Sequence, residues 1–75
     1  MTGTVIHATR TRVIAWLDGP GRPSGNFSVV RHTDGTVLGT VTFRYRTRTR
    51  AVFHWDPIPN PMTQPRPGDL LQPAG

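Results

Sequence analysis

A chain of 75 residues without cysteine holds one domain at most and excludes disulfides, zinc–thiolate sites and cysteine nucleophiles. Its charge is one-sided: nine Arg and no Lys face four Asp and no Glu, giving +5 with neutral His and a pI of about 11.7. No apolar run approaches the ~18 residues of a membrane span, and MTGTVIHATR lacks the pattern of a signal peptide, so a soluble cytoplasmic protein is expected.

Taken in chain order, residues 1–56 are rich in Thr, Val and aromatics, a strand-forming mixture with no helical stripe. The alternation predicts strands at about 4–8 and 12–18, then a loop over DGPGRPSGN at 18–26. Further strands are expected at 26–33, 36–46 and 50–55, the first two joined at Asp34–Gly35. Residues 57–75 hold six of the eight prolines, which precludes a long helix or a central strand there. The expected fold is all-β: a small antiparallel sheet of four to five strands, curled or barrel-like, spanning 1–56. An extended proline-rich tail follows at 57–75, and PGRP at 20–23 and PIPNP at 57–61 fit polyproline spacing.

Registers follow from keeping the apolar set on one face. Residues 40–55 are long for one strand, so a hairpin is expected within Arg46–Arg50. A loop of three or five residues pairs Tyr45 with Ala51 and Phe43 with Phe53, gathering the aromatics on one side. A three-residue Thr33–Asp34–Gly35 loop pairs Arg31 with Val37, Val29 with Gly39 and Phe27 with Val41. The expected core is Phe27, Val29, Val37, Val41, Phe43, Tyr45, Ala51, Phe53 and Trp55, completed around Val13–Leu17. One apolar sheet face needs a cover. Curling with tail docking is the first expectation and a homodimer the next.

TRTR occurs twice, inside TRTRVIAWLD at 9–18 and TRTRAVFHWD at 47–56. The second copy is expected to crown a hairpin and the first to lie along a strand. GTV precedes both copies at unequal distances, so no pseudo-symmetry is predicted.

The basic residues Arg10, Arg12, Arg44, Arg46, Arg48 and Arg50, with His54, are the candidate nucleic-acid contacts. Alternate strand residues lie ~6.6 Å apart on one face, a spacing that sets cations along a phosphate backbone. A GC-rich coding sequence would favour Arg over Lys but would not explain the excess of bases over acids. The same arginines also suit a solvated hairpin face or a protected edge. Most aromatics are assigned to the core. Trp16 is the exception, because it shares a strand face with Arg10 and Arg12.

His7, His32 and His54 have no metal-ligand spacing, and Ser24 and Ser28 lie in no nucleophile motif, so neither a cofactor or metal nor enzymatic chemistry is expected. In the tail, Ile58, Met62, Leu70 and Leu71 are candidate anchors for a partner protein. The functional expectation is a basic, non-enzymatic nucleic-acid-binding protein that contacts the backbone without sequence preference. The rival is a protein-interaction module, an accessory, inhibitory or assembly protein of a bacterial, plasmid or phage system, whose basic face meets an acidic partner.

Overall fold

In a computed structural model, the described residues are 1–19, 21, 23, 25–55 and 64–74. They form six strands: β1 (Gly3–Ala8), β2 (Arg12–Leu17), β3 (Asn26–Val30), β4 (Val37–Arg46), β5 (Ala51–Trp55) and β6 (Leu70–Pro73). The strands close into an antiparallel barrel in the order β1-β2-β5-β4-β3-β6. The all-β class and the first five strands follow the alternation read from the sequence.

The sixth strand corrects that reading. LLQP, from the proline-rich segment, lies between β1 and β3, with Gly3 opposite Leu71 and Val29 also opposite Leu71. Pro73 stands at the strand's end, where the missing N–H costs least. Leu71 is fully buried, so it is a core residue and not an anchor for a partner, and Leu70 is exposed on the outer face. Ile58 and Met62 lie outside the described residues. With β6 in place no edge remains open among the described strands, so the barrel covers its own apolar face.

The core contains Val5, Val13, Ala15, Leu17, Phe27, Val29, Val41, Ala51, Phe53, Trp55 and Leu71. Phe53 is central: its ring meets Phe27 and Phe43 edge-on, at centroid distances of 5.4 and 5.7 Å. Gly39 is needed there, because a Cβ at this position would stand 2.7 Å from the Trp55 ring.

Two expected core residues are outside. Tyr45 is 53% exposed and Val37 62% exposed, and the cause in each case is a bulge. Phe43↔Phe53 pairs as expected, but the register then shifts past Arg44, setting Tyr45 opposite Val52 and Arg46 opposite Ala51. Phe27↔Val41 and Val29↔Gly39 also pair as expected, but the register shifts past Leu38 and turns Val37 outward opposite Val30. The hairpin loops differ by the compensating residue. Arg31 N–H donates to the Thr36 carbonyl, and Thr47 N–H to that of Arg50. Gly35 still supplies the left-handed residue, with φ 78°.

The two TRTR copies prove to be the same turn. Thr9 N–H donates to the Arg12 carbonyl at 2.9 Å, as Thr47 does to Arg50 at 2.8 Å. In each, the threonine hydroxyl oxygen accepts the arginine N–H, at 3.1 and 3.3 Å. The first copy is therefore a hairpin turn, not a mid-strand segment.

The likeness extends beyond the turns. Shifting β1–β2 by 38 positions (Val5 to Phe43) reproduces β4–β5. Val5↔Ala15 becomes Phe43↔Phe53, the bulge at Ile6 becomes that at Arg44, and His7↔Ile14 becomes Tyr45↔Val52. Gly3↔Leu71 likewise corresponds to Val41↔Phe27. The registers thus define a pseudo-two-fold axis, which passes through the like-with-like pairs Ile14↔Val52 and Ser28↔Gln72. GTV was a misleading anchor for this comparison: Gly3 corresponds in register to Val41, not to Gly39.

Candidate nucleic-acid interface

The outer surface over β2, β5 and β4 gathers much of the positive charge. Arg12 lies opposite His54, His54 opposite Thr42, and Thr42 opposite Asn26, where its hydroxyl donates to Asn26 Oδ1 at 3.1 Å. Arg44, exposed on β4 two residues from Thr42, joins this row. Partial burial, then Arg44, then Arg12 hold the His54 imidazole below its ordinary pKa. Arg12 stands directly across from His54 on the neighbouring strand, and a nearby guanidinium disfavours a charged ring.

The remaining arginines divide by position. Arg10 stands in the β1–β2 turn at one end of the barrel. Arg48 and Arg50 stand in the β4–β5 turn at the other end. Arg46 does not belong to an outer ladder: the bulge turns it toward the barrel mouth, where it is half-buried and its guanidinium donates to the Gly21 carbonyl. Four consecutive even-numbered arginines are therefore split among three settings, and the ladder expected from alternation does not form. Among the described residues, no salt bridge involves Arg10, Arg12, Arg44, Arg48 or Arg50.

Between the two ends the surface is apolar. Ile14 and Val52 pair at its centre, with Val52 buried although it faces outward. Tyr45 continues the row on one side and His7 on the other. Trp16, 52% exposed, stands further along β2 on the same face as Arg12. The register of β2 with β5, continued one residue past Ala15↔Ala51, carries Arg50 to the level of Trp16. The face thus presents Arg12 beside His54 and Arg50 beside Trp16, related by the pseudo-two-fold. Trp16 was recognisable from its spacing to Arg12. Tyr45 was not, because nothing in the alternation marks the bulge.

A second polar cluster holds the opposite seam. Asp69 is 1% exposed, and its carboxylate accepts the Arg66 N–H at 2.8 Å, the His32 N–H at 3.3 Å and the His32 ring Nδ1 at 2.9 Å. Arg31 Nε lies 3.9 Å away. Burial alone would raise this carboxyl's pKa, but these donors outweigh it and hold the group below the ordinary value. The Asp69 carbonyl also accepts the Val5 N–H, and Gly68 N–H donates back to Val5. This is a structural clamp between β1, the β3–β4 turn and the approach to β6. His7, His32 and His54 lie on different elements. Among the described residues no three His or Asp side chains gather as a metal site would require. The described residues also include no helix long and apolar enough to cross a membrane.

No family model matches the chain, and neither curated proteins nor solved structures show a match to it.

Proposed function

We propose that the protein binds nucleic acid without enzymatic chemistry, contacting the phosphate backbone through the outer face of β2, β5 and β4. The observation that carries this reading is the convergence of Arg12, Arg44 and His54 with no carboxylate partner among the described residues. Unpaired guanidinium groups held on a rigid sheet bind phosphate in the geometry their planar fork suits. Arg10, Arg48 and Arg50 extend the positive surface to both ends of the barrel. Backbone contacts position a ligand without reading its sequence, so affinity is expected to depend on salt and not on base order.

The test is fluorescence anisotropy of labelled oligonucleotides across a salt series. Binding that weakens linearly in log affinity against log salt is expected. Undetectable binding at low salt overturns the reading.

A second reading draws on Val37 and Leu70, exposed apolar residues that flank half-buried Val30 on neighbouring strands. Such a group fits a protein partner. Co-purification of a protein that survives nuclease treatment would favour it.

A further inference from the structure

We infer that the ligand is an unpaired strand, one of whose bases stacks in a cleft beside Trp16. This rests on the nucleic-acid reading and names its substrate class. The cleft, of about 200 Å³, lies between Trp16 on β2 and the outer side of β6. Its floor is Thr4, which pairs with Trp16 on one side and with Leu70 on the other. β2 and β6 therefore stand two strand spacings apart, about 10 Å. A small residue between two large ones leaves a slot at that spacing. A flat ring in van der Waals contact on both faces needs about 7 Å, so a single base fits between the indole and Leu70.

The chemistry of the rim separates base from backbone. Gln72 offers an amide donor and acceptor at the cleft. Asp18 lines it as well, its oxygens accepting the Thr2 N–H at 2.9 Å and the Thr2 hydroxyl at 2.6 Å. Each carboxylate oxygen keeps a lone pair for a base N–H. The same negative charge repels a phosphate from the cleft, whereas the arginines along β2 and β5 attract it. Trp16 lies four residues from Arg12, about 13 Å along the strand. A single strand lying on the face can thus set its backbone on Arg12, Arg44 and Arg50 and turn a base into the slot. A duplex cannot do so, because its bases are stacked and paired inside. Base–aromatic stacking tolerates any base, which agrees with a surface built for backbone contacts.

The experiment titrates the full chain with an oligothymidylate strand and, separately, a duplex of equal length, reading anisotropy and intrinsic tryptophan emission. Trp55 is buried, so quenching reports on Trp16. The single strand is expected to quench emission and to bind at least tenfold tighter than the duplex. Trp16→Ala should weaken single-strand binding roughly 5- to 150-fold and so remove most of its preference over the duplex. Trp16→Phe should recover part of the loss. Equal affinity for both ligands with unquenched emission overturns stacking but leaves the nucleic-acid reading standing, provided Arg12→Ala still weakens both. Failure of both ligands to bind at low salt overturns the two together. Trp16 lies outside the core, and unchanged circular dichroism of the variants confirms that the barrel persists.

Discussion

Two arginines two residues apart in sequence differ in what they are free to do. Arg44 is exposed beside His54, whereas Arg46 is held by the Gly21 carbonyl. Arg12→Ala or Arg44→Ala should each lower the salt slope of binding by about one. Arg46→Ala should leave the slope unchanged and instead loosen the β2–β3 loop, read as faster amide exchange around Gly21. His54 supplies a pH dependence of known sign. Partial burial and two neighbouring cations favour its neutral form in the free protein, below the ordinary value of 6.5. Bound phosphate favours the protonated form, so binding takes up a proton and tightens as pH falls from neutral through this range. His54→Gln should flatten that dependence in anisotropy titrations. The same depression means that the contribution of neutral His54 to stability is complete above 6.5 and declines as pH falls.

At the scale of elements, the twofold use of one turn explains why TRTR recurs. The first threonine closes the hairpin through its backbone and satisfies the arginine N–H with its hydroxyl oxygen. Thr9→Ala and Thr47→Ala should each cost about 1 kcal/mol in denaturant unfolding, and their effects should add, because the turns lie at opposite ends of the barrel. The strands themselves were legible because alternation of Val, Phe and Trp with polar residues survives any reading frame. The bulges at Ile6, Leu38 and Arg44 were not. A bulge changes which residues face inward without changing the composition around it. That is why Tyr45 was assigned to the core although Phe43↔Phe53 was placed correctly, and why an arginine ladder was expected where none forms. For the candidate site, Arg12 and Arg44 were legible as exposed cations. Their meeting at His54 was not, since it depends on the β2–β5 pairing of Arg12 with His54, 42 positions further along the chain.

For the whole molecule, closure is the decisive event, and it depends on a segment whose composition disguises it. LLQP is too short and too close to proline to read as a strand alone, yet it supplies Leu71 to the core and covers both open edges. Leu71→Ala should cost about 2–5 kcal/mol and expose the edges of β1 and β3 to intermolecular pairing, seen as aggregation on mild heating. Asp69 secures the same seam. Its carboxyl is held below the ordinary value in the folded chain, so its contribution to stability is present above the unfolded value of 3.8 and is lost as pH falls through the folded one. Asp69→Asn should lower stability at neutral pH by about 1–3 kcal/mol and reduce the further loss on acidification, measured as midpoints of thermal unfolding.

The seam formed by Gly3 and Leu71 also sets a clock. Three of the six strand pairings, β1–β2, β3–β4 and β4–β5, close through short turns and are available within microseconds. The other three join residues far apart in the chain, and the β1–β6 contact spans almost all of it. Each requires loop entropy to be given up before any contact offsets it. Refolding should therefore take milliseconds to seconds despite the chain's small size. For that interval preformed hairpins stand with unpaired edges, and crowding by other copies would compete with closure.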